Sequence, residues 1–284
     1  MTLFIYKIIH KVVRKMVRFV QLVLGPAGTG KSTYCKTMQE HCNTMKRPLY
    51  VGNLDPACET FEYNPSFDIR DLVTIQEAMD TGLGPNGALV YCMEYLLQNI
   101  EWLKDELDNF GEDEYIILDC PGQIELYSHL PVMRNLTKCL VSWGFRVVSV
   151  YLIDALIVLE PSKFISACLL SLSCMLQLEC PHVNIVTKCD IADKEQIQEV
   201  LDSDGSWMIR QRDRESRGKL KLLSDAIGSV VDDYMIVSFV MLDITDEDSL
   251  DNILNRTDHA IQYAEEQEVK DQEEFGDFGE FERE

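Results

Sequence analysis

Basic residues are scarce in this sequence. Its 284 residues include 26 Lys and Arg against 48 Asp and Glu, which gives a net charge of −22. Proteins that bind nucleic acids directly need clustered Lys and Arg side chains against the phosphates, so this composition disfavours direct DNA or RNA binding. A strongly acidic surface instead favours partners with basic surfaces.

Long apolar runs are also missing. The most apolar segment, Ile165–Leu178, has 14 residues, whereas a membrane-spanning helix needs about 20. The segment therefore predicts a buried helix, and no membrane partner is expected.

The ten cysteines include no CxxC pair and have no histidine at zinc-ligand spacing. Most of them lie among apolar residues. This pattern is typical of reduced, buried thiols in a cytosolic or nuclear protein.

Apolar runs that do not alternate with polar residues predict strands buried on both faces, and helical patterns separate them. This βα alternation favours an α/β fold with a mostly parallel sheet covered by helices on both faces. The predicted strands are Phe19–Leu24, Leu49–Asn53, Tyr115–Asp119, Val147–Ile153, Val183–Thr187 and Met235–Val240. Between them we expect helices over Ile69–Met79 and Ala88–Asn109, with a loop at Gly82–Gly87.

One main domain, residues 18–263, is expected; it contains a polar insertion and lies between two terminal segments. Residues 1–17 form a basic leader without acidic residues. The favoured interpretation is an unstructured segment or a start-site artefact. The alternative is a basic amphipathic presequence or a membrane-surface helix. Residues 193–217 form a polar insertion. Residues 264–284 hold ten acidic residues against two basic ones and predict a disordered tail, in which three phenylalanines leave an interaction motif open.

A phosphate-binding loop pattern follows the first strand: Gly25-x-x-x-x-Gly30-Lys31-Ser32. Backbone N–H groups of such a loop wrap the phosphates, and the following helix N-terminus adds favourable partial charge. The pattern predicts a P-loop NTPase in which Lys31 reaches the β and γ phosphates and Ser32 holds Mg²⁺. The expected nucleotide contacts are Gly28, Thr29, Gly30, Lys31, Ser32 and Thr33.

Asp119 ends a buried strand and precedes Cys120-Pro121-Gly122-Gln123. A buried carboxylate needs a compensating partner, and a Mg²⁺-bound water facing the phosphate loop would supply one. We expect Gly122 to offer its backbone N–H to a γ phosphate and Gln123 to orient the attacking water.

The segment Thr187-Lys188-Cys189-Asp190 also ends an apolar strand. A carboxylate there can accept two hydrogen bonds from guanine N1–H and its exocyclic amine, which adenine cannot donate. We therefore predict GTP rather than ATP, with the Lys188 stem lying across the base.

Two further carboxylates are open to two interpretations each. Asp55, at the end of the second strand, either holds a water near Mg²⁺ or forms an Asx turn before Pro56. Glu125 is either catalytic or an ordinary surface residue.

These motifs, in this order, resemble the GPN-loop GTPases, whose defining tripeptide is Gly84-Pro85-Asn86. The resemblance covers about residues 17–265 and is greatest to the third paralogue of the eukaryotic family. It is carried by NLDPA at 53–57, GLGPNG at 82–87, DCPGQIELYSHLPVM at 119–133 and TKCD at 187–190. The loop that caps guanine in this family should lie near 238–243, where the sequence has no diagnostic small residues.

The resemblance implies a GTP-hydrolysing switch that forms a nucleotide-dependent dimer. Asn86 would act across the interface on the partner's phosphates. The implied partners are a second copy or the first GPN-loop paralogue, together with RNA polymerase II subunits. The implied role is assembly and nuclear import of that polymerase, from a cytoplasmic location with shuttling to the nucleus left open.

Two other functions remain open from the residues. A GTP-binding scaffold with negligible turnover would use the same motifs. A P-loop kinase would need a basic lid, for which the polar insertion offers arginines at 210, 212, 214 and 217.

Overall fold

A computed structural model describes residues 18–111, 114–202 and 238–263, with Leu222, Ala226, Ile227, Ser229 and Val230 in addition. The leader, the tail and the four arginines of the polar insertion lie outside the described residues. Only the first part of that insertion is described, and it contains a helix at Lys194–Leu201.

Among the described residues, seven strands form one sheet, and every pairing between them is parallel. The strands are β1 (Arg18–Leu24), β2 (Leu49–Asn53), β3 (Pro65–Asp68), β4 (Tyr115–Asp119), β5 (Phe145–Asp154), β6 (His182–Thr187) and β7 (Phe239–Met241). Their order across the sheet is β3-β2-β4-β1-β5-β6-β7. The predicted α/β class with a parallel sheet is confirmed.

Ten α-helices are described. They are α1 (Lys31–Thr44), α2 (Ile75–Asp80), α3 (Pro85–Gln98), α4 (Ile100–Asp108), α5 (Glu125–Ser128), α6 (Val132–Ser142), α7 (Ala155–Val158), α8 (Pro161–Leu178), α9 (Lys194–Leu201) and α10 (Glu247–Ile261). No helix among the described residues is both long and apolar enough to cross a membrane, and the Ile165–Leu178 segment lies within α8.

The sheet separates two hydrophobic cores. Successive side chains of a strand point to opposite faces, so Val20 and Leu22 of β1 belong to one core and Phe19 and Val23 to the other. Residues of α3, α4, α6 and α8 fill the first core, and residues of α1 and α10 fill the second. Burial on both faces explains why the strands lack alternation of polar and apolar residues.

Strand β3 was missed in the sequence interpretation. It has four residues, begins with a proline and lies at the edge of the sheet. Proline is tolerated at such a position because an edge strand does not need every N–H, but four residues carry too little pattern to predict a strand.

The predicted helix over Ile69–Met79 is confirmed only in its second half. The chain forms a single 3₁₀ turn at Ile69–Asp71 and then α2. The Thr74 side chain and that of Glu77 form a reciprocal capping box, which starts the helix at Ile75.

The predictions for the next segment need two corrections. The expected loop at Gly82–Gly87 ends earlier, because Pro85 is the first residue of α3 and Gly84 is its N-cap. The single helix expected over Ala88–Asn109 is two helices, because Asn99 leaves the helical conformation and its side-chain amide donates to the Tyr95 carbonyl at 2.9 Å.

Candidate active site

The phosphate-loop residues follow β1 directly. A Cβ built on Gly25 would lie 2.5 Å from the Leu152 carbonyl oxygen, so only glycine lets the loop start this close to β5. Gly30 has a φ of 84° and is the N-cap of α1. Glycine adopts this left-handed conformation without the penalty that a side chain would bring.

The Lys31 ammonium lies inside the loop. The residue is 8% exposed, and Nζ donates to the carbonyls of Gly25 at 3.2 Å and Pro26 at 3.3 Å. The Thr29 hydroxyl donates to the same Pro26 carbonyl at 2.8 Å. The loop therefore surrounds a positive charge with backbone, as a phosphate cradle requires.

Ser32 and Thr33 begin α1 and face different partners. The Ser32 hydroxyl donates to Asp119 Oδ2 at 2.8 Å, which joins the phosphate loop to the end of β4. The half-buried Thr33 donates to Glu62 Oε2 at 3.3 Å.

Asp119 is 2% exposed, and its two carboxylate oxygens have different surroundings. Oδ2 accepts from Ser32 and from the Tyr63 hydroxyl at 3.1 Å, whereas Oδ1 is buried without a hydrogen-bond partner among the described residues. Burial raises the pKa of Asp119 to about 6, and the hydrogen bond from Ser32 and the charge of Lys31 act in the opposite direction.

Ser32 and Asp119 fit the predicted Mg²⁺ site. The described residues contain no cluster of three or more His, Cys, Asp or Glu side chains that could hold a metal alone. Mg²⁺ in nucleotide sites commonly uses one or two protein oxygens, several waters and the phosphates. An orphaned carboxylate oxygen beside a serine hydroxyl supplies that donor set.

Gly122, for which a γ-phosphate contact is predicted, packs against the phosphate loop. A Cβ at this residue would lie 2.8 Å from Lys31 Nζ and 2.9 Å from Ala27 Cα. The neighbouring Gln123 is half-buried, and its Oε1 has no partner among the described residues. An amide in this position is available to orient a water.

Asp55 forms the Asx turn of its second interpretation, and its role in holding a water near Mg²⁺ stays a prediction. Its Oδ1 accepts from the Ala57 N–H at 2.9 Å, which is an Asx turn. The carboxylate is also close enough to Lys31 and Asp119 to interact with both electrostatically. Burial raises the pKa of Asp55, while the Ala57 N–H and the Lys31 charge lower it.

Thr187 joins the base-recognition segment to the phosphate loop. Its hydroxyl lies 2.7 Å from the Thr29 carbonyl and 3.0 Å from the Ile153 carbonyl, in hydrogen-bonding contact with both. The four-residue motif and the phosphate loop therefore lie side by side along the carboxyl edge of one sheet.

Lys188 and Asp190 follow at the end of β6. Lys188 has a φ of 61°, and its ammonium pairs with Asp154 Oδ2 at 2.6 Å. Asp190 is exposed, with no hydrogen bond to another described residue. Its carboxylate is thus available to a base at this edge.

The region predicted to cap guanine lies beside this segment. The Cys189 N–H donates to the Leu242 carbonyl at 3.3 Å, and the Leu242 N–H donates to the Val186 carbonyl at 2.7 Å. The loop expected near 238–243 needs a correction, because Phe239–Met241 within it form strand β7 and the loop follows from Leu242 onward. The strand predicted over Met235–Val240 ends at Met241 instead, and its positions 235–237 lie outside the described residues.

Two predicted catalytic residues are exposed and make no hydrogen bond to the phosphate loop, Asp119 or the base-recognition segment. Asn86 lies with Gly84 and Pro85 at the start of α3, and Glu125 begins α5. Neither side chain hydrogen-bonds to another described residue. For Glu125, exposure agrees with the surface interpretation.

Three residues of the site were missed. Asp154 ends the apolar strand β5 as Asp119 ends β4, so the same sequence signal could have found it. Asn53 is fully buried and donates to the Asp55 carbonyl at 3.1 Å and to Asp68 Oδ1 at 2.8 Å. No sequence signal marks Tyr63, which lies in the irregular segment between β2 and β3.

A parallel sheet with a phosphate loop, a buried strand-end aspartate and a base-recognition segment along its carboxyl edge defines a P-loop NTPase. Comparisons with known proteins agree with this class. A family model described as "Conserved hypothetical ATP binding protein" matches residues 23–263. A crystal structure of a GTPase in apo form from Pyrococcus abyssi superposes with a TM-score of 0.70 at 22% identity, covering 85% of this chain and 97% of that one, and supports the fold.

Two curated relatives specify the family. A protein of Dictyostelium discoideum named GPN-loop GTPase 3 is 49% identical over 261 residues, which cover 90% of this chain and 91% of that protein. The protein of the same name from Danio rerio is 46% identical over 266 residues, which cover 91% and 93%. This chain belongs to the GPN-loop GTPase family.

Proposed function

We propose that this protein binds GTP and hydrolyses it to GDP and phosphate as a dimerising switch. The observation that carries the proposal is the contact between Thr187 and the Thr29 carbonyl at 2.7 Å. It brings the phosphate cradle and the guanine-selecting carboxylate of Asp190 to the same edge, so one mononucleotide can reach both.

Guanine selection follows from the hydrogen-bonding capacity of Asp190. The carboxylate accepts two hydrogen bonds from guanine. Adenine would leave it unpaired, because adenine has a lone pair on N1 where guanine has an N–H. Sites that lose such hydrogen bonds discriminate by on the order of 10⁴. The name of the matching family model mentions ATP, and this chemistry favours GTP instead.

Hydrolysis in this site is mainly positioning and charge stabilisation. Lys31 and the backbone N–H groups of the loop hold the phosphates, and Gly122 lies close enough to place its N–H near a γ phosphate. Gln123, with Asp55, orients the attacking water. Mg²⁺ held at Ser32 and Asp119 would neutralise charge on the β and γ oxygens.

In the proposed dimer, Asn86 of each chain completes the site of the other. Its exposure at the start of α3 supports this role, because the side chain is accessible to a partner. A group supplied across an interface lets assembly control the rate of hydrolysis. The partner is a second copy or the first GPN-loop paralogue.

From family membership we also propose a role in assembly and nuclear import of RNA polymerase II, with this protein acting in the cytoplasm. The net charge of −22 suits partners with basic surfaces.

The first experiment measures phosphate release from GTP and from ATP with Mg²⁺ and no acceptor. We expect release from GTP alone and its loss in Lys31→Ala; strict dependence on an added acceptor would support a kinase instead. Mass measurement with GDP and with a non-hydrolysable GTP analogue, alone and with the first paralogue, then tests the dimer. An unchanged monomer in all conditions would contradict the switch.

A further inference from the structure

The Asp119 carboxylate is held in one orientation by two donors on the same oxygen. Ser32 and Tyr63 both hydrogen-bond to Oδ2, at 2.8 and 3.1 Å. Oδ1 is left without a partner among the described residues. A carboxylate's terminal torsion is broad and roughly two-fold, so its two oxygens would exchange places readily if nothing distinguished them.

Tyr63 is built into the core rather than lying loosely over the site. It is 6% exposed, belongs to the core cluster that contains α1, and packs against the Phe61 ring at 5.6 Å between centroids. Because an ionised carboxylate only accepts hydrogen bonds, the Tyr63 hydroxyl is the donor. Its ring fixes where that donor lies.

We propose that Tyr63 is a positioning residue for Mg²⁺: its hydroxyl holds Asp119 so that Oδ1 faces the ion's hydration shell while Oδ2 remains with Ser32. The inference rests on the proposed function and extends it to a residue outside the phosphate loop and the strand-end motifs. Groups that orient metal-binding side chains in this way typically change metal affinity by about 10–100-fold when removed.

The arrangement also leaves Ser32 free to act on the ion. Its hydroxyl gives its proton to Asp119 Oδ2 and keeps its oxygen lone pairs for the cation. Without Tyr63, Oδ2 would have one donor instead of two, and rotation of the carboxylate would disturb the Ser32 bond as well. Removing one hydroxyl is therefore expected to weaken both protein contacts to the ion.

The test compares Tyr63→Phe with Tyr115→Phe. Phenylalanine keeps the packed ring and removes the hydroxyl. Tyr115 is a matched control because it is a fully buried tyrosine at the opposite end of β4, where its hydroxyl accepts from Gln21 Nε2 at 2.9 Å. Tyr63→Phe removes the buried hydrogen bond to Asp119, whereas Tyr115→Phe removes buried hydrogen bonding to Gln21 and Thr257 and leaves Asp119 untouched. Thermal unfolding without metal checks that both variants are folded.

Binding of N-methylanthraniloyl-GDP is measured by fluorescence in EDTA and then during titration with MgCl₂. We expect Tyr63→Phe to raise the Mg²⁺ concentration needed for half-maximal tightening by about 10-fold, with affinity in EDTA within two-fold of the wild type. Tyr115→Phe should match the wild type in both measurements.

Three results would overturn the inference. A wild-type Mg²⁺ titration in Tyr63→Phe would show that the hydroxyl does not position Asp119. An equal loss of affinity in EDTA would show a merely structural role. If the wild-type protein binds no guanine nucleotide, the proposed function fails together with this inference, whereas the first two results leave that function standing.

Discussion

Gly122 offers a direct test of how closely the strand-end motif approaches the phosphate loop. In Gly122→Ala the new methyl carbon would lie 2.8 Å from Lys31 Nζ, 2.9 Å from Ala27 Cα and 3.0 Å from Ala27 N. The lysine end can move aside, but the two Ala27 atoms are backbone. The loop must therefore shift, whatever Lys31 does.

Overpacking by one methyl group typically costs about 1–3 kcal/mol. In the free protein, movement of Lys31 and of the loop relieves part of this strain, so we expect the free energy of unfolding to fall by only about 1 kcal/mol. Nucleotide binding requires Lys31 and the loop to return to their wild-type positions, and there the new methyl group again clashes with them. Affinity should fall by about 10–100-fold, at 1.4 kcal/mol for each factor of ten, with a larger loss for a GTP analogue than for GDP.

The assay is fluorescence titration with labelled GDP and a labelled non-hydrolysable GTP analogue, beside chemical denaturation. Gly111→Ala is the control, since its Cβ would meet Glu114 at 3.7 Å, an ordinary contact. Wild-type affinity for both nucleotides in Gly122→Ala would refute the reasoning. So would a loss of affinity matched by a similar loss in Gly111→Ala.

Three further predictions concern other parts of the molecule. Asp190→Asn replaces an acceptor by a donor facing guanine donors, so the preference for GTP over ATP in competition binding should fall by at least about 10-fold; an unchanged preference would contradict the base-pocket assignment. Asp154→Asn removes the charge that anchors Lys188, a partly exposed pair, and should weaken labelled GDP binding by about 3-fold while the preference for guanine persists. Burial lowers the pKa of His182 to about 4. The unfolded chain therefore binds a proton at this residue more tightly, and the free energy of unfolding falls as the pH drops from about 6.5 towards 4. In chemical denaturation, His182→Gln should lose about 1–3 kcal/mol less stability than the wild type over this pH range.

The strands other than β3, and the phosphate loop, could be predicted because each carries its signal locally. The β4 run is fully buried from Tyr115 to Asp119, and a strand buried on both faces reads as a continuous apolar segment. The phosphate loop is likewise a contiguous pattern between a strand and a helix. The order of these motifs along the chain then indicated the family resemblance.

Contacts between distant residues could not be predicted in this way. Tyr63 lies 56 residues from Asp119, and Thr187 lies 158 residues from Thr29. No spacing rule relates such pairs, because the crossover connections of a parallel sheet decide which strand ends become neighbours. Asn99 shows the same limit for helices, since a side chain that competes with the backbone ended a pattern that otherwise continued.

Gly84 is a motif glycine at which no contact among the described residues requires the absence of a side chain. Its φ of −72° suits any residue, and a Cβ there would have no atom of the described residues within 4 Å. If glycine is needed at this exposed helix start, the reason lies outside the chain, in the close approach of a partner. Gly84 is the N-cap of α3, where alanine is less favourable than glycine, so we expect Gly84→Ala to lower the free energy of unfolding by no more than about 1 kcal/mol.

The same variant should weaken the proposed dimer with a non-hydrolysable GTP analogue, measured as the concentration dependence of the mass. Gly87→Ala is the control, because its methyl group would meet only the Leu83 side chain, at 3.6 Å or more. Wild-type dimerisation of Gly84→Ala would remove the argument that this loop reaches a second chain. Weakened dimerisation with intact stability and intact GDP binding would place the function of the tripeptide at the interface, because the isolated subunit gives it none.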